Sequence, residues 1–217
     1  MRARARVLSA TSDDISGIVA TAESVHGWIA GRAAREMALA SYGLPANATI
    51  VEVGVFMGRS TVLLAGARRL AGSGTVHSID PFDCSGDAHS NRHYVNELSM
   101  TGQSSVETAF RQNLARTKLD DWVRIHKGTS RVVAASWRTP IDLLLLDGDQ
   151  SPEGASEAFV SWSPFLKKGG LLVLSNTGNR TYSAGHDGNY RVSVEKVVPP
   201  AFSAVRQVDY FMFAQKS

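Results

Sequence analysis

Apolar residues recur at two different spacings along the chain, and their alternation predicts an α/β fold. From Asp14 to Tyr42 they recur every three or four positions, which is typical of helix. We therefore predict an N-terminal helical appendage, ended by the glycine and proline at 43 and 45. The next run, Thr49–Val53, is β-branched and leads directly into Gly54. This pattern indicates a buried strand that enters a glycine turn.

Short aliphatic runs then alternate with helix-like stretches to the end of the chain. Runs without polar alternation indicate strands covered on both faces, as in a parallel sheet. The further predicted strands are Thr75–Ile79, Trp122–His126, Ile141–Leu146, Gly170–Ser175, and Ala204–Ala214 as one long strand or a hairpin. The predicted helices are Arg59–Ala71, Val106–Arg116, Ser130–Ser136, Glu153–Leu166 and Arg191–Val198.

Two polar stretches interrupt this rhythm. Residues 81–104 are predicted to form an insertion, and Asn176–Asn189 a second polar loop. Ligands of open α/β sheets bind beyond the carboxyl ends of the strands, where both stretches begin. We expect these two stretches and the N-terminal helices to determine what the protein acts on.

The composition is that of a globular protein with one domain. The chain has 217 residues, of which 43% are hydrophobic and 20% charged, so it is neither disordered nor a coiled coil. We predict a single domain over 1–217, with N-terminal helices in 1–47 and an α/β core in 48–217. No apolar run approaches the ~20 residues of a membrane span, so we expect a soluble protein with no membrane partner.

Charge and cysteine content narrow the class further. The formal net charge is +3, and Arg2, Arg4 and Arg6 account for three of the cations. The rest of the chain is balanced, so we predict no nucleic-acid partner. The single cysteine, Cys84, cannot form an internal disulfide, which fits a cytoplasmic protein.

The segment after the first predicted strand, Glu52–Ser60, carries a glycine turn. Gly54 and Gly58 would let the backbone bend and approach a ligand closely, and Ser60 could cap the following helix. A phosphate-binding P-loop is excluded, because three residues separate the glycines and no lysine follows. The dinucleotide fingerprint GxGxxG is also absent. A turn that only packs a helix remains an alternative.

The other predicted strands also end in informative residues. Asp80 ends the second strand, where an acid can accept hydrogen bonds from both hydroxyls of a ribose. Thr129 and Ser130 follow the third strand; they are small enough for an adenine edge, or they cap the next helix. Asp147 and Asp149 follow the four leucines of the fourth strand.

Together these segments resemble the class I S-adenosylmethionine (SAM)-dependent methyltransferases, in the small O-methyltransferase branch related to the catechol-type enzymes. The resemblance implies a doubly wound, mostly parallel, seven-stranded Rossmann-like sheet with an antiparallel last strand. It implies SAM as the cofactor. The matching segments lie in family order between Ile50 and Leu174: VEVGVFMGRST, HSIDPFD, HKGTS, LLLLDGDQSPEGA and FLKKGGLLVL.

The resemblance also assigns roles to residues. It implies that Glu52 lies near the methionine amino group, that Asp80 binds the ribose, and that Asp147 faces the methyl-transfer centre. Thr129 and Ser130 would border the adenine. The full set of implied cofactor residues is Glu52, Gly54, Phe56, Gly58, Ser60, Asp80, Thr129, Ser130 and Asp147.

Metal binding is the first point at which the sequence departs from this branch. The branch holds a divalent cation with an acid after the fourth strand and an Asp-Asn pair after the fifth. Asp147 and Asn176 match, but Ser175 replaces the second carboxylate. Mg²⁺ prefers oxygen ligands and can keep several waters, so Asp147 and Asn176, with help from Asp149, could still hold it. Metal dependence is left open.

The general base is the second departure. Relatives carry Lys or His at the position of Gln150, and an amide cannot act as a base at neutral pH. His186, beside Asp187 in the second polar loop, suits proton transfer, and a solvated turn is the alternative. The catalytic candidates are therefore Asp147, Asp149 and His186.

The remaining histidines and aromatics have weaker claims. His89 and His93 would share one face of a helix, but zinc needs a third ligand. Trp28 and Tyr94 could complete a lid or acceptor pocket, although core packing is favoured for Trp28. The two histidines inside predicted strands are expected to be structural: His77 and His126.

We predict direct in-line methyl transfer from SAM to an oxygen of a small hydroxylated metabolite, without a covalent nucleophile. The resemblance also implies pairing into a homodimer through the N-terminal helices. Two alternatives stay open: a hydroxylase on the same fold, and a non-catalytic cofactor-binding homologue. The lack of a two-His-one-carboxylate set argues against the first. Gln150 and Ser175 keep the second open.

Overall fold

The computed structural model describes residues 11–178 and 182–217. Arg2, Arg4 and Arg6, and part of the second polar loop, lie outside the described residues. The strands are β1 Thr49–Val53, β2 Thr75–Asp80, β3 Val123–Lys127, β4 Ile141–Leu146, β5 Leu166–Leu174, β6 Phe202–Val208 and β7 Phe211–Lys216. The helices are α1 Ser12–Glu23, α2 Gly31–Tyr42, α3 Arg59–Ala71, α4 Ala88–Thr101, α5 Val106–Thr117, α6 Ser130–Ser136, α7 Pro152–Trp162 and α8 Gly188–Glu195.

The strands form one sheet in the order β3-β2-β1-β4-β5-β7-β6. Strands β1 to β5 are mutually parallel, and β7 is antiparallel to both β5 and β6. The strand order reverses between β1 and β4, and such a switch point opens a crevice at the carboxyl ends of the strands. The predicted sheet and its antiparallel last strand are confirmed.

Helices cover both faces of this sheet. On one face α1, α2, α3 and α5 pack against alternate strand residues such as Ile50 and Leu143. On the other face α6, α7 and α8 pack against Val51 and Leu144. Every residue of β4 is buried, which explains why all of them except Asp142 are aliphatic. Among the described residues, no helix is both long and apolar enough to cross a membrane.

The predicted N-terminal helical stretch is wrong in one respect, because residues 24–30 separate α1 from α2. The carbonyls of Val25 and Ile29 accept hydrogen bonds from the Arg59 guanidinium, at 2.6 and 3.2 Å. The side chains of Val25 and Ile29 are nevertheless buried. The apolar spacing therefore continues through a segment that is not helical.

The insertion at 81–104 contains a helix that the sequence did not suggest. Asp87 caps α4 by accepting the backbone N–H groups of His89 and Ser90, each at 3.0 Å. Only Ser90 of this helix is buried, so α4 lacks the apolar stripe by which helices are recognised.

The stretch 204–214 was predicted as one long strand or a hairpin, and the hairpin is confirmed, with its turn at Asp209, whose φ is +53°. Two other boundaries differ from the predictions. Strand β5 begins at Leu166, which the pattern had placed in the preceding helix. Helix α8 begins at Gly188 rather than Arg191.

Candidate active site

Two cavities meet at the switch point of the sheet. The first, here called the histidine cavity, has a volume of about 490 Å³ and is lined by His26, His89, His93 and His186 among others. The second, the Asp80 cavity, has a volume of about 360 Å³ and includes Asp80, Thr129 and Ser130 in its wall. Both cavities are bordered by Gly54, Phe56, Ser90 and Tyr94.

The glycine turn after β1 is tightly packed against neighbouring backbone. A Cβ at Gly54, where φ is +83°, would lie 2.4 Å from the carbonyl oxygen of Asp147. A Cβ at Gly58, where φ is +96°, would lie 2.9 Å from the Phe110 ring. Gly54 thus lets the turn approach the end of β4. Gly58 packs against α5 and is not part of either cavity wall.

Glu52 lies inside the core behind the turn. Its carboxylate accepts hydrogen bonds from the hydroxyls of Ser60, Thr61 and Ser78, at 2.5, 2.6 and 3.3 Å. Burial raises the pKa of Glu52 to about 7, although the hydrogen bonds from Ser60 and Thr61 act in the opposite direction. Ser60 lines the histidine cavity and Glu52 does not, so Glu52 reaches the cavity only through Ser60.

Asp80 lies at the end of β2 in the wall of its cavity. Its two oxygens accept the backbone N–H groups of Val55, at 2.9 Å, and Phe82, at 2.7 Å. Burial raises the pKa of Asp80 against these hydrogen bonds. The backbone N–H of Phe56 also hydrogen-bonds to this carboxylate. A carboxylate has about four acceptor sites, so Asp80 can still accept a hydroxyl hydrogen.

Thr129 and Ser130 line the same cavity and also serve the fold. Thr129 caps α6 through the backbone N–H of Val132, at 3.4 Å. The Ser130 hydroxyl accepts the indole N–H of Trp162, at 2.9 Å. The capping interpretation is therefore confirmed for Thr129, whereas contact with an adenine stays a prediction.

Asp147 lies at the end of β4 and faces the histidine cavity. Burial raises the pKa of Asp147 to about 7, although a hydrogen bond from Ser175 and the charge of the nearby His186 act in the opposite direction. Within residues 11–178 and 182–217, neither Asp147 nor Glu52 forms a salt bridge. Two carboxyls near the turn, the buried Glu52 and the partly buried Asp147, thus form no salt bridge in the described structure.

Asp149 is not brought together with the other catalytic candidates. It is exposed, accepts the backbone N–H of Ser151 at 2.8 Å, and lines the Asp80 cavity. Asp147 and His186 line the histidine cavity. The chain turns at Gly148, so acids two positions apart face different cavities.

His186 has a different carboxylate partner from the one its sequence neighbour suggested. Its Nδ1 lies 2.9 Å from Oδ1 of Asp87, whereas Asp187 pairs with Arg191 at 2.8 Å. Burial raises the pKa of Asp87, but hydrogen bonds from His186 and Ser90 outweigh it and hold that pKa well below its usual value. Asp87 lies in the polar insertion, where only its position before a helix could have signalled a role.

Four of the other histidines form two pairs. The His89 ring centroid lies 4.4 Å from that of His186 and 4.6 Å from that of His93. In the part of the chain that the structure describes, no group of three or more His, Cys, Asp or Glu side chains could hold a metal. His77 and His126 contact each other at 2.9 Å between their ring nitrogens, outside the walls of both cavities.

An aromatic group borders the histidine cavity. The ring centroid of Phe56 lies 4.8 Å from that of Trp28 and 4.8 Å from that of Tyr94. Trp28 is 48% exposed, so the prediction that it belongs to the core is wrong. The segment 24–30 that carries it is held by Arg59 and by a hydrogen bond from the Tyr210 hydroxyl to the carbonyl of Trp28, at 2.8 Å.

The residues at the predicted metal position do not fit a divalent cation. The Ser175 oxygen accepts amide hydrogens from Gln150, at 3.0 Å, and Asn189, at 3.3 Å, and Ser175 hydrogen-bonds to Asp147. A serine hydroxyl has one donor and two acceptor sites, so no lone pair remains for a metal. Asp147 and Asn176 line the cavity together with Gln150, whose buried Oε1 has no hydrogen-bond partner among the described residues. The second carboxylate of the branch is nevertheless missing, because Ser175 stands at its position.

The comparisons with known proteins agree with this geometry. A family model described as a methyltransferase domain matches residues 51–177, more than half of the chain. Similar solved structures include an O-methyltransferase from Bacillus cereus in complex with SAH, S-adenosylhomocysteine. Its TM-score is 0.63 at 16% identity, over 97% of this chain and 94% of that chain.

Two further structures show how far the fold is shared. The O-methyltransferase TomG from Streptomyces achromogenes, in complex with SAM, has a TM-score of 0.62 and 17% identity over 97% of this chain and 92% of that one. An rRNA methylase from Streptococcus thermophilus has a TM-score of 0.57 and 12% identity over 87% of this chain and 99% of that one. At these identities the likeness concerns the fold alone.

Proposed function

Because the chain belongs to the methyltransferase domain family and is a class I SAM-dependent methyltransferase, we propose that it methylates an oxygen of a small hydroxylated acceptor. The adenosyl group would occupy the Asp80 cavity, and the methionyl group would extend past Gly54 towards Ser60. The methyl group would then face Asp147, and the acceptor would enter the histidine cavity.

The observation that carries this proposal is the pair of carboxyls that line the two cavities on either side of Gly54, Asp80 at the end of β2 and Asp147 at the end of β4. Burial raises the pKa of both, that of Asp147 to about 7. An isolated carboxylate is costly to bury, whereas a nearby cation stabilises its charged form. SAM carries a sulfonium and an ammonium group. The donor set beside Gly54 therefore suits this cofactor better than it suits a neutral ligand.

The histidine cavity supports the acceptor class. Its volume of about 490 Å³ falls in the range of small-molecule sites, and its wall combines aromatic rings with histidines and Asp147. When bound, SAM supplies an activated methyl group on a good leaving group. The protein's contribution is then to align the acceptor oxygen at about 3 Å and to exclude water. The O-methyltransferases among the similar structures support oxygen as the acceptor atom.

The first test is calorimetric titration of the protein with SAM and with S-adenosylhomocysteine (SAH). Both should bind, and Asp80→Asn should weaken binding by on the order of 10-fold, because a hydrogen-bonded carboxylate is lost. Asp83→Asn is the matched control, because Asp83 is exposed and its carboxylate accepts hydrogen bonds from the nearby Ser85. Absence of SAM binding would overturn the proposal.

The second test supplies radiolabelled SAM together with phenols, catechols and sugars as acceptors. Transfer of label to a hydroxyl of one of these classes is the expected result. Binding of SAM without transfer to any acceptor would favour the non-catalytic homologue, which the amide at Gln150 keeps open.

A further inference from the structure

Asp87 joins three segments that are distant in sequence. Its carboxylate caps α4, accepts the Ser90 hydroxyl at 2.7 Å, and accepts the backbone N–H of Gln150 after β4 at 3.2 Å. It also holds Nδ1 of His186 at 2.9 Å, and its own side chain is only 3% exposed. A buried carboxylate with this many contacts fixes the position of the imidazole.

The contact also determines which ring nitrogen can act as a base. A carboxylate with lowered pKa remains ionised and only accepts hydrogen bonds, so Nδ1 of His186 is the protonated nitrogen. Nε2 of the neutral ring is then unprotonated. His186 lines the histidine cavity and is 14% exposed, so this nitrogen belongs to a group that an acceptor can reach.

The charged and titratable groups near His186 come from several elements. Asp87 contacts it directly, and His89 lies beside it on α4 with His93 beyond. Asp147 at the end of β4 also interacts with it electrostatically. Asp187, its neighbour in sequence, is paired with Arg191 instead.

We propose that His186, positioned by Asp87, removes the proton of the acceptor hydroxyl, and that this pair replaces the divalent cation of the related branch. This inference rests on the proposed function and extends it. Its two supports are the Asp87–His186 contact and the saturated hydroxyl of Ser175 at the metal position.

The atoms of the step balance as follows. The acceptor O–H bond breaks and its proton passes to Nε2 of His186. The oxygen lone pair forms the new O–CH₃ bond, while the electrons of the S–CH₃ bond return to sulfur. The products are the methyl ether, neutral SAH and one proton, which His186 later releases to solvent.

The first experiment measures the tautomer of His186 by long-range proton–nitrogen NMR on the SAH-bound protein, with His186→Gln used to assign the signal. We expect Nδ1 protonated and Nε2 unprotonated. Asp87→Ala should remove the preference for this tautomer, because the Nδ1–H of His186 loses its acceptor. Asp87→Asn should keep the tautomer and lose only the charge, because the oxygen that caps α4 is also the one that accepts from Nδ1. An Nε2-protonated ring in the wild type, or a tautomer that Asp87→Ala leaves unaltered, would refute the pairing.

The matched control is Asp187→Asn, the same change one residue from His186, which should alter neither the tautomer nor turnover. In transfer assays with an acceptor from the panel, Asp87→Asn and His186→Gln should each lower kcat by on the order of 10²-fold. Their combination should be no worse than either alone. In the pH profile of kcat, the acidic limb of Asp87→Asn should lie at lower pH than that of the wild type. The reason is that the variant lacks the Asp87 charge, which favours the imidazolium form of His186.

The second experiment tests the metal. Mg²⁺ titrated alone into the SAH-bound protein should give no binding heat, and a chelator should change the transfer rate less than about twofold, since chelation matters only where a metal stabilises charge. Loss of transfer with the chelator, or Mg²⁺ binding that Asp147→Asn removes, would overturn the inference. Neither outcome depends on whether the wild-type protein binds SAM. The SAM titration therefore tests the proposed function separately from this inference.

Discussion

The Asp80 cavity and the histidine cavity differ in how their walls are assembled. The Asp80 cavity is formed mainly at the ends of β1, β2, β3 and β4, within the 51–177 stretch that matches the family. Helix α4 contributes to both cavities, and the histidine cavity adds the segment 24–30 and the loops that carry His186 and Tyr210. The comparison indicates that the cofactor side is set by the sheet, whereas the acceptor side depends on additions to it.

The largest expected effect comes from removing the glycine that both cavities share. Gly54→Ala places a Cβ 2.4 Å from the Asp147 carbonyl in a residue with positive φ. We expect it to destabilise the fold by about 3 kcal/mol and to abolish SAM binding. Thermal unfolding and calorimetry would measure both effects. Gly72→Ala, also at positive φ but with open space around it, is the control for the backbone cost alone.

The next effect separates turnover from stability within the histidine cavity. Asp147→Asn removes a buried carboxyl that burial already disfavours, so the unfolding temperature should hold or rise. Turnover should fall on the order of 10²-fold if Asp147 organises the methyl-transfer centre. Asp149→Asn, two residues on in the other cavity, should leave kcat nearly unchanged. Equal losses of kcat in the two variants would show that the two cavities do not have separate functions.

A third change acts on the acceptor side alone. Trp28→Ala removes a half-exposed ring from the histidine cavity, so stability should change little. We expect the acceptor KM to rise about 10-fold, as for the loss of an aromatic contact. The dissociation constant of SAM should stay the same. A matching loss of SAM affinity would contradict the separation of the two sides.

The smallest expected effect on binding is a pH dependence of the affinity for SAM. Because the folded pKa values of Glu52 and Asp147 are raised to about 7, the free protein should lose stability as pH rises from about 4 through 7. Bound SAM favours the ionised carboxylates. Its affinity should therefore increase severalfold between about pH 6 and about pH 8. In calorimetry, Asp147→Asn should flatten this increase.

The difference between the two cavities explains how much of the fold and of the site could be predicted from the sequence. Local patterns determine the strands, and the residues at their carboxyl ends follow from topology, so Asp80, Thr129 and Asp147 could be placed in advance. The pairing of Asp87 with His186 spans 99 positions. No periodicity encodes it, and the neighbouring Asp187 offered a simpler but incorrect partner.

Missed elements have a common physical cause. Helix α4 was not predicted because only Ser90 is fully buried and its contacts with the core, through Tyr94 and Leu98, are partly exposed. The break at 24–30 was hidden because its carbonyls are satisfied by the distant Arg59 while its apolar side chains stay buried. In both cases tertiary contacts, rather than local preference, decide the conformation.

The way in which Arg59 holds the segment 24–30 bears on how selectivity could be redesigned. The Arg59 guanidinium donates to the main-chain carbonyls of Val25 and Ile29 in this segment, and to that of Glu23 at the end of α1. Main-chain atoms are present whatever residue is substituted, so positions 26 and 28 can be randomised without dismantling the anchor. A small combinatorial library at these two sites is thus a direct route to variants with new acceptor preferences.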